Sequence, residues 1–186
     1  MNRFTLLLIA SLSFAHAQEP AGFRSRIDAY ESSVRANTLR IIEAKTEEER
    51  ARFRASIPDS RPYATEVLAL IQSHPNAPDL ADGLNWLLTQ CIHLPEGTAA
   101  LDLVAKKYPA LPGIAPGIKR LEEIDPTIAT PALQAVLNSP AQPDEKAAAL
   151  FALAGHHFRT FESPSDTPTR DAARERASQL LQQINT

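Results

Sequence analysis

Fifteen prolines punctuate this chain, and they fall between short apolar stripes. That placement limits the fold more than any other feature. Inside a helix or a central strand, proline removes a backbone donor and clashes with its neighbours, so it belongs in a first turn or a corner. Between Pro62 and Pro109 the chain reads PYATEVLALIQSHPNAPDLADGLNWLLTQCIHLPEGTAALDLVAKKYP. Tyr63, Val67, Leu70 and Ile71 repeat at helical spacing, as do Leu80, Leu84, Leu87, Leu88 and Cys91, and then Ala100, Leu101, Val104 and Tyr108. Pro62, Pro78-Asp79 and Pro95-Glu96 open these segments, and Pro75 and Pro109 close the outer two. Only four valines occur, and no run alternates apolar with polar over the length of a strand. The reading is all-α.

The flanking segments follow the same pattern. Phe23, Ile27, Tyr30, Val34 and Ile41 predict a helix over about 23–44, polar enough elsewhere to extend as an arm. Thr46 and Glu49 have capping-box spacing, and the acids Glu47, Glu48 and Glu49 suit the positive end of a helix. A short helix should therefore run from there to Ile57-Pro58. The same three acids could be read as a cation site, but a helix start accounts for them. Beyond Pro109, a Pro/Gly-rich connection to Pro116 precedes a short helix over 117–124. Thr130-Pro131 is expected to cap a helix that buries Leu133, Val136 and Leu137. Pro143-Asp144 opens a longer one with the stripe Ala147, Leu150, Phe151, Ala154, Phe158 and Phe161. After a polar loop over 163–169, Thr167-Pro168 caps a last helix with the stripe Ala173, Ala177, Leu180, Leu181 and Ile184.

The start of the chain is set apart from this body. MNRFTLLLIASLSFAHA has one base, an apolar run over 4–14 and a small-x-small ending at Ala15-His16-Ala17. This is the pattern of a secretory signal peptide cleaved after Ala17. The expected division is a signal peptide over 1–17, an N-terminal helical arm over 18–58 and a helical-repeat domain over 59–186. The expected location is the periplasm or the extracellular space. Removing 1–17 leaves 18 basic against 22 acidic residues, a formal charge of −4. So mild and interspersed a balance argues against phosphate-driven nucleic-acid binding and against a basic membrane patch. No later segment is apolar enough to span a bilayer. With one cysteine, Cys91, no internal disulfide can form, and stability must come from the core.

Prolines that end helices fall at Pro75, Pro109 and Pro140, steps of 34 and 31 residues that each hold about two helices. That is the length of a helix-turn-helix repeat, tetratricopeptide- or HEAT-like. The tetratricopeptide consensus itself is not matched, so an α-solenoid and an irregular helical bundle both remain open. The segment from about Arg61 to Gly155, roughly half the chain, resembles a helical region found in some exported bacterial thioredoxin-fold (redoxin) proteins. The likeness rests on Pro62-Tyr63-Ala64, His74-Pro75-Asn76-Ala77-Pro78, Gly83-Leu84-Asn85-Trp86-Leu87, Ala132-Leu133-Gln134-Ala135-Val136-Leu137 and Ala147–Ala154. In those proteins the helical region precedes the thioredoxin domain. Here no Cys-x-x-Cys occurs and nothing after Gly155 reads as strands. The resemblance therefore implies a helical module with a supporting or binding role and no dithiol chemistry.

Candidate chemistry is sparse. Cys91 lies on an apolar stripe, where a thiol behaves as a small inert hydrophobe. His156-His157 is the most metal-like feature, but adjacent helical residues diverge by about a hundred degrees and do not converge on one ion. Glu162, His74 or His93 could complete such a site only through the fold. Trp86 could stack on a ligand, though on a Leu-rich helix it more often packs beside the core. No nucleophile elbow, P-loop, dinucleotide fingerprint or HExxH occurs. The expectation is a non-enzymatic module with no catalytic, cofactor or metal residues, binding a protein or peptide partner. Two alternatives stand beside it: an accessory that docks a thioredoxin-fold protein, and a metal-dependent helical enzyme using His156 or His157.

Overall fold

A computed structural model describes residues 22–162 and 167–184. Within them the protein is all-α, with no strand. The expected signal peptide and most of the loop over 163–169 lie outside the described residues, as does the Phe161 side chain. The helices are α1 (Phe23–Glu43), α2 (Glu47–Ala55), α3 (Ser60–Ser73), α4 (Leu80–Gln90), α5 (Pro95–Lys106), α6 (Ala115–Arg120), α7 (Pro126–Asn138), α8 (Pro143–Glu162) and α9 (Thr167–Ile184), with a 3-10 turn at Leu121–Glu123 extending α6. No described helix is long and apolar enough to cross a membrane.

Packing follows the apolar stripes. Leu80, Leu84, Leu87, Leu88 and Cys91 are all buried, and α4 touches α1, α3, α5 and α6. Full burial of a leucine contributes about 2 kcal/mol before chain entropy is counted, so α4 is the main apolar support of the fold. Contacts skip along the chain: α1 packs on α4, α4 on α6 and α6 on α8, while α3 packs on α5 and α5 on α7. The result is two layers of alternating helices, with α9 laid along α8. Phe23 and Ile27 are buried in the main core and Tyr30 packs against it, so the first half of α1 belongs to the body. Its second half runs beside α2, a nine-residue helix with no buried residue. The α1–α2 corner is held by polar bonds. Asn37 Nδ2 donates to the Ser56 carbonyl at 3.0 Å, and Arg50 Nη2 donates to the Ala44 carbonyl at 3.2 Å.

Several local expectations change. α3 begins at Ser60, two residues before Pro62, because the Asp59 carboxylate accepts from the Arg61 amide at 3.0 Å and caps the helix. Thr130-Pro131 does not cap α7. The Asp125 carboxylate accepts from both the amide and the hydroxyl of Thr127, at 2.8 and 2.6 Å, and Pro126 takes the first helical position. Pro131 then lies within the helix on an exposed face, where it removes a single backbone bond. The short helix expected over 117–124 starts earlier, at Ala115, and tightens into the 3-10 turn. α9 starts at Thr167, so the Thr167-Pro168 pair opens it as expected while the loop expected over 163–169 is shorter at its end.

Two glycines are fixed by space or by backbone. A Cβ on Gly97 would lie 2.2 Å from the Cys91 carbonyl oxygen, because α5 starts directly against the end of α4. Gly113 has φ 85°, but a Cβ there would meet only the Ala81 Cβ at 3.5 Å. Gly97→Ala should therefore cost about 3 kcal/mol through backbone displacement, and Gly113→Ala about 1 kcal/mol through conformational strain alone. Chemical denaturation of both variants checks this ranking.

Candidate functional site

Two of the three acids at the start of α2, Glu47 and Glu49, are taken up by the helix itself. Thr46 Oγ1 accepts from the Glu49 amide at 3.1 Å, and the Glu49 carboxylate accepts from the Thr46 amide at 3.3 Å. Glu47 pairs with Arg54 at 2.6 Å and with Arg50 at 3.3 Å, and those bonds hold its carboxyl below the usual range. Trp86 is buried in the core, its ring edge-on to Tyr30 with centroids 5.5 Å apart, and Tyr30 in turn tilts against Tyr63 at 5.3 Å. Cys91 is fully buried at the end of α4. Burial first, then the nearby Glu96 charge, pushes its thiol up to about 11, against a smaller opposing pull from the Ser60 hydroxyl. A group so far into the thiol form is a poor nucleophile at neutral pH.

The two histidines divide between neighbours. His156 is 5% exposed and its Nε2–H donates to the Leu121 carbonyl at 2.8 Å. One turn later, Arg159 Nη2 donates to the Ile124 carbonyl at 3.1 Å. Together they fasten the 3-10 turn onto α8 by satisfying carbonyls that a helix end leaves unpaired. His157 is half-buried on another side of α8, with the Arg176 charge of α9 among its neighbours. His74 is exposed, its Nδ1 2.9 Å from the Ser73 hydroxyl, and His93 is exposed. Among the described residues no three His, Cys, Asp or Glu side chains converge as metal ligands.

The feature the sequence reading missed is a groove. Glu145, Ala149, Ala152 and His156 are all buried, so α8 turns this face to the interior. Phe158 lies two residues past His156, about 200° round the helix, and is thereby turned outward. It is 39% exposed, not part of a buried stripe. With Phe151, Ala154, Gly155 and Leu181 it forms the floor of a groove between the 3-10 turn, α8 and α9. Glu122, Glu123 and Arg159 form the rim, and the volume is about 350 Å³. That is in the range of pockets that accept a small molecule or a large apolar side chain, roughly 300–1,000 Å³. Arg120 pairs with Glu123, and the Lys119 ammonium lies 4.8 Å from the centroid of the Phe151 ring. Glu122 and Arg159 make no ion pair among the described residues. The groove thus has an apolar floor, with the Glu122 carboxylate and the Arg159 guanidinium, which also donates to the Ile124 carbonyl, at its edge. In the sequence, only the i, i+7 pair Phe151 and Phe158 hinted at it.

No protein-family model matches the chain, and no curated protein or solved structure matches it.

Burial is the main cause holding the His156 pKa below its ordinary value of 6.5, partly offset by its bond to the Leu121 carbonyl. His157 shifts the same way, again chiefly through burial. The unfolded chain therefore takes up protons first as pH falls. The histidine contribution to stability is complete above about 6.5 and is lost below it. Denaturation midpoints should drop between pH 7 and pH 5. His156→Gln, which keeps a donor for Leu121, should flatten part of that drop and leave the share due to His157. In the same samples, Cys91 should alkylate at the rate of a free thiol only once denaturant unfolds the chain.

Proposed function

We propose that this protein is an exported, non-enzymatic helical module that binds a protein or peptide partner. The observation that carries this reading is the groove. It combines exposed Phe158 with half-buried Phe151 and Leu181, and it is bordered by Glu122 and Arg159. Aromatic anchors with flanking charges suit a partner's apolar side chain better than they suit bond-making chemistry. The alternating-layer contacts support a repeat-like reading, in which stacked helix pairs present an extended surface. Export, to the periplasm or beyond, rests on the signal-peptide pattern over 1–17. Docking of a thioredoxin-fold partner is the alternative within this reading. The burial of Cys91 and its raised pKa support contact without electron transfer.

The test is capture from an envelope or secreted extract on the immobilised processed protein, beside a Phe158→Glu variant. The expected outcome is a partner retained by the wild type and lost, by about tenfold or more in affinity, from the variant. A partner held equally by both proteins would place binding elsewhere. A stoichiometric small molecule or metal in the purified protein would replace this reading with a ligand carrier or an enzyme.

A further inference from the structure

The far end of the molecule has a surface that complements the groove. Leu39 is 54% exposed and Ile42 is 72% exposed, both near the end of α1. Leu39 follows Tyr30 by nine residues, about two and a half turns, so it points half a turn away from the stripe that α1 buries. Arg35 lies one turn before Leu39 and Glu43 one turn after it. Both are exposed, and neither makes an ion pair among the described residues. The ridge is therefore an apolar pair between a cation and an anion. The groove is its converse, an apolar floor between Glu122 and Arg159; neither is in an ion pair among the described residues, and Arg159 keeps its bond to the Ile124 carbonyl.

We propose that the α1 ridge of one copy docks in the α8–α9 groove of the next. This rests on the reading of the groove as a protein-docking site and names a second copy of the chain as its occupant. Leu39 and Ile42 cover Phe151, Phe158 and Leu181, while Arg35 meets Glu122 and Glu43 meets Arg159. The groove volume, about 350 Å³, has room for the Leu39 side chain. The two surfaces are different patches on each copy, so the contact is heterologous. It leaves a free ridge at one end and a free groove at the other, and it propagates instead of closing at two. The charge pairs lie at the rim, so added salt weakens the contact.

Sedimentation velocity on the processed full protein tests this, with two variants, Leu39→Glu/Ile42→Glu and Phe158→Glu. Because all three side chains are exposed, the variants should fold, and circular dichroism checks that they do. The wild type should show a sedimentation coefficient that climbs with concentration, while each variant alone stays monomeric, weakened by about tenfold or more. An equimolar mixture of the two variants should form a two-chain species and nothing larger, since each keeps the half that the other lacks. A monomeric wild type, or a mixture that stays monomeric, overturns the proposal. So does self-association of Phe158→Glu at the wild-type level, which would mean that α1 pairs with its own kind. If the wild type is monomeric but Phe158→Glu loses a captured partner, self-docking fails and the groove reading stands. If Phe158→Glu also captures partners unchanged, the groove reading fails as well.

Discussion

The connection between α5 and α6 is held by two side chains, and much of the architecture depends on that hold. The Gly113 amide donates to Glu145 Oε1 of α8 at 2.7 Å, and the Gly113 carbonyl accepts from Asn85 Nδ2 of α4 at 2.7 Å. The same Asn85 uses its Oδ1 to accept from the Gly117 amide at 2.8 Å, in the first turn of α6. Helices α4, α6 and α8 are consecutive members of one layer, so these bonds fix their relative register. Gly113 itself is exposed, but Gly117 and Glu145 are buried, and a buried polar group that loses its partner costs about 1–3 kcal/mol. Gly113 suits this corner because it takes φ 85° without the strain, about 1 kcal/mol, that a side chain would add. The placement of α6 then sets the 3-10 turn, whose Leu121 and Ile124 carbonyls meet His156 and Arg159. That turn supplies the Glu122 wall of the groove.

How much of this was legible follows from the range of the interactions. Apolar periodicity is local, and it located α4 and its stripe from Leu80 to Cys91 correctly. The Thr46–Glu49 capping box is also local, and its two bonds are present. The start of α7 shows the limit of such reasoning. Asp125-Pro126 and Thr130-Pro131 are both polar-proline starts, and spacing does not rank them. A carboxylate that accepts two bonds from Thr127 does. The Gly113 clamp was not legible because its partners are 28 and 32 residues away.

One signal for it was nonetheless present. Glu145, Ala149, Ala152 and His156 are spaced by four, three and four residues, which is one face of a helix. Two polar residues at the ends of an alanine stripe suggest buried polar contacts at both ends of that face. The sequence reading followed the larger residues of α8 instead, from Ala147 through Phe151 to Phe158. Leu150 and Ala154 of that stripe are buried with Ala177 and Leu180, but Phe158 is not: small residues mark where helices approach most closely, and large ones can be left at the edge. Gly155 makes the same point, since a Cβ there would lie 3.1 Å from the Glu122 Cβ. The close fit of α8 against α6 and its turn is what leaves Phe151 and Phe158 to form the floor of a groove.

The two ends of the layered array differ in a way that bears on interaction. A terminal helix that packs on one side only needs a polar outer face. α9 meets that need, burying Ala173, Ala177 and Leu180 while exposing Arg174, Glu175, Arg176, Ser178, Gln179 and Gln182. The α1–α2 end does not, because Leu39 and Ile42 face outward and α2 buries nothing. A nine-residue helix is too short to be stable by propensity alone, and the α2 capping box and ion pairs stabilise it only modestly. Contacts from outside that covered Leu39 and Ile42 would therefore stabilise this end. The proposed docking of the α1 ridge would act at this end, where the chain's own contacts are fewest, on α2.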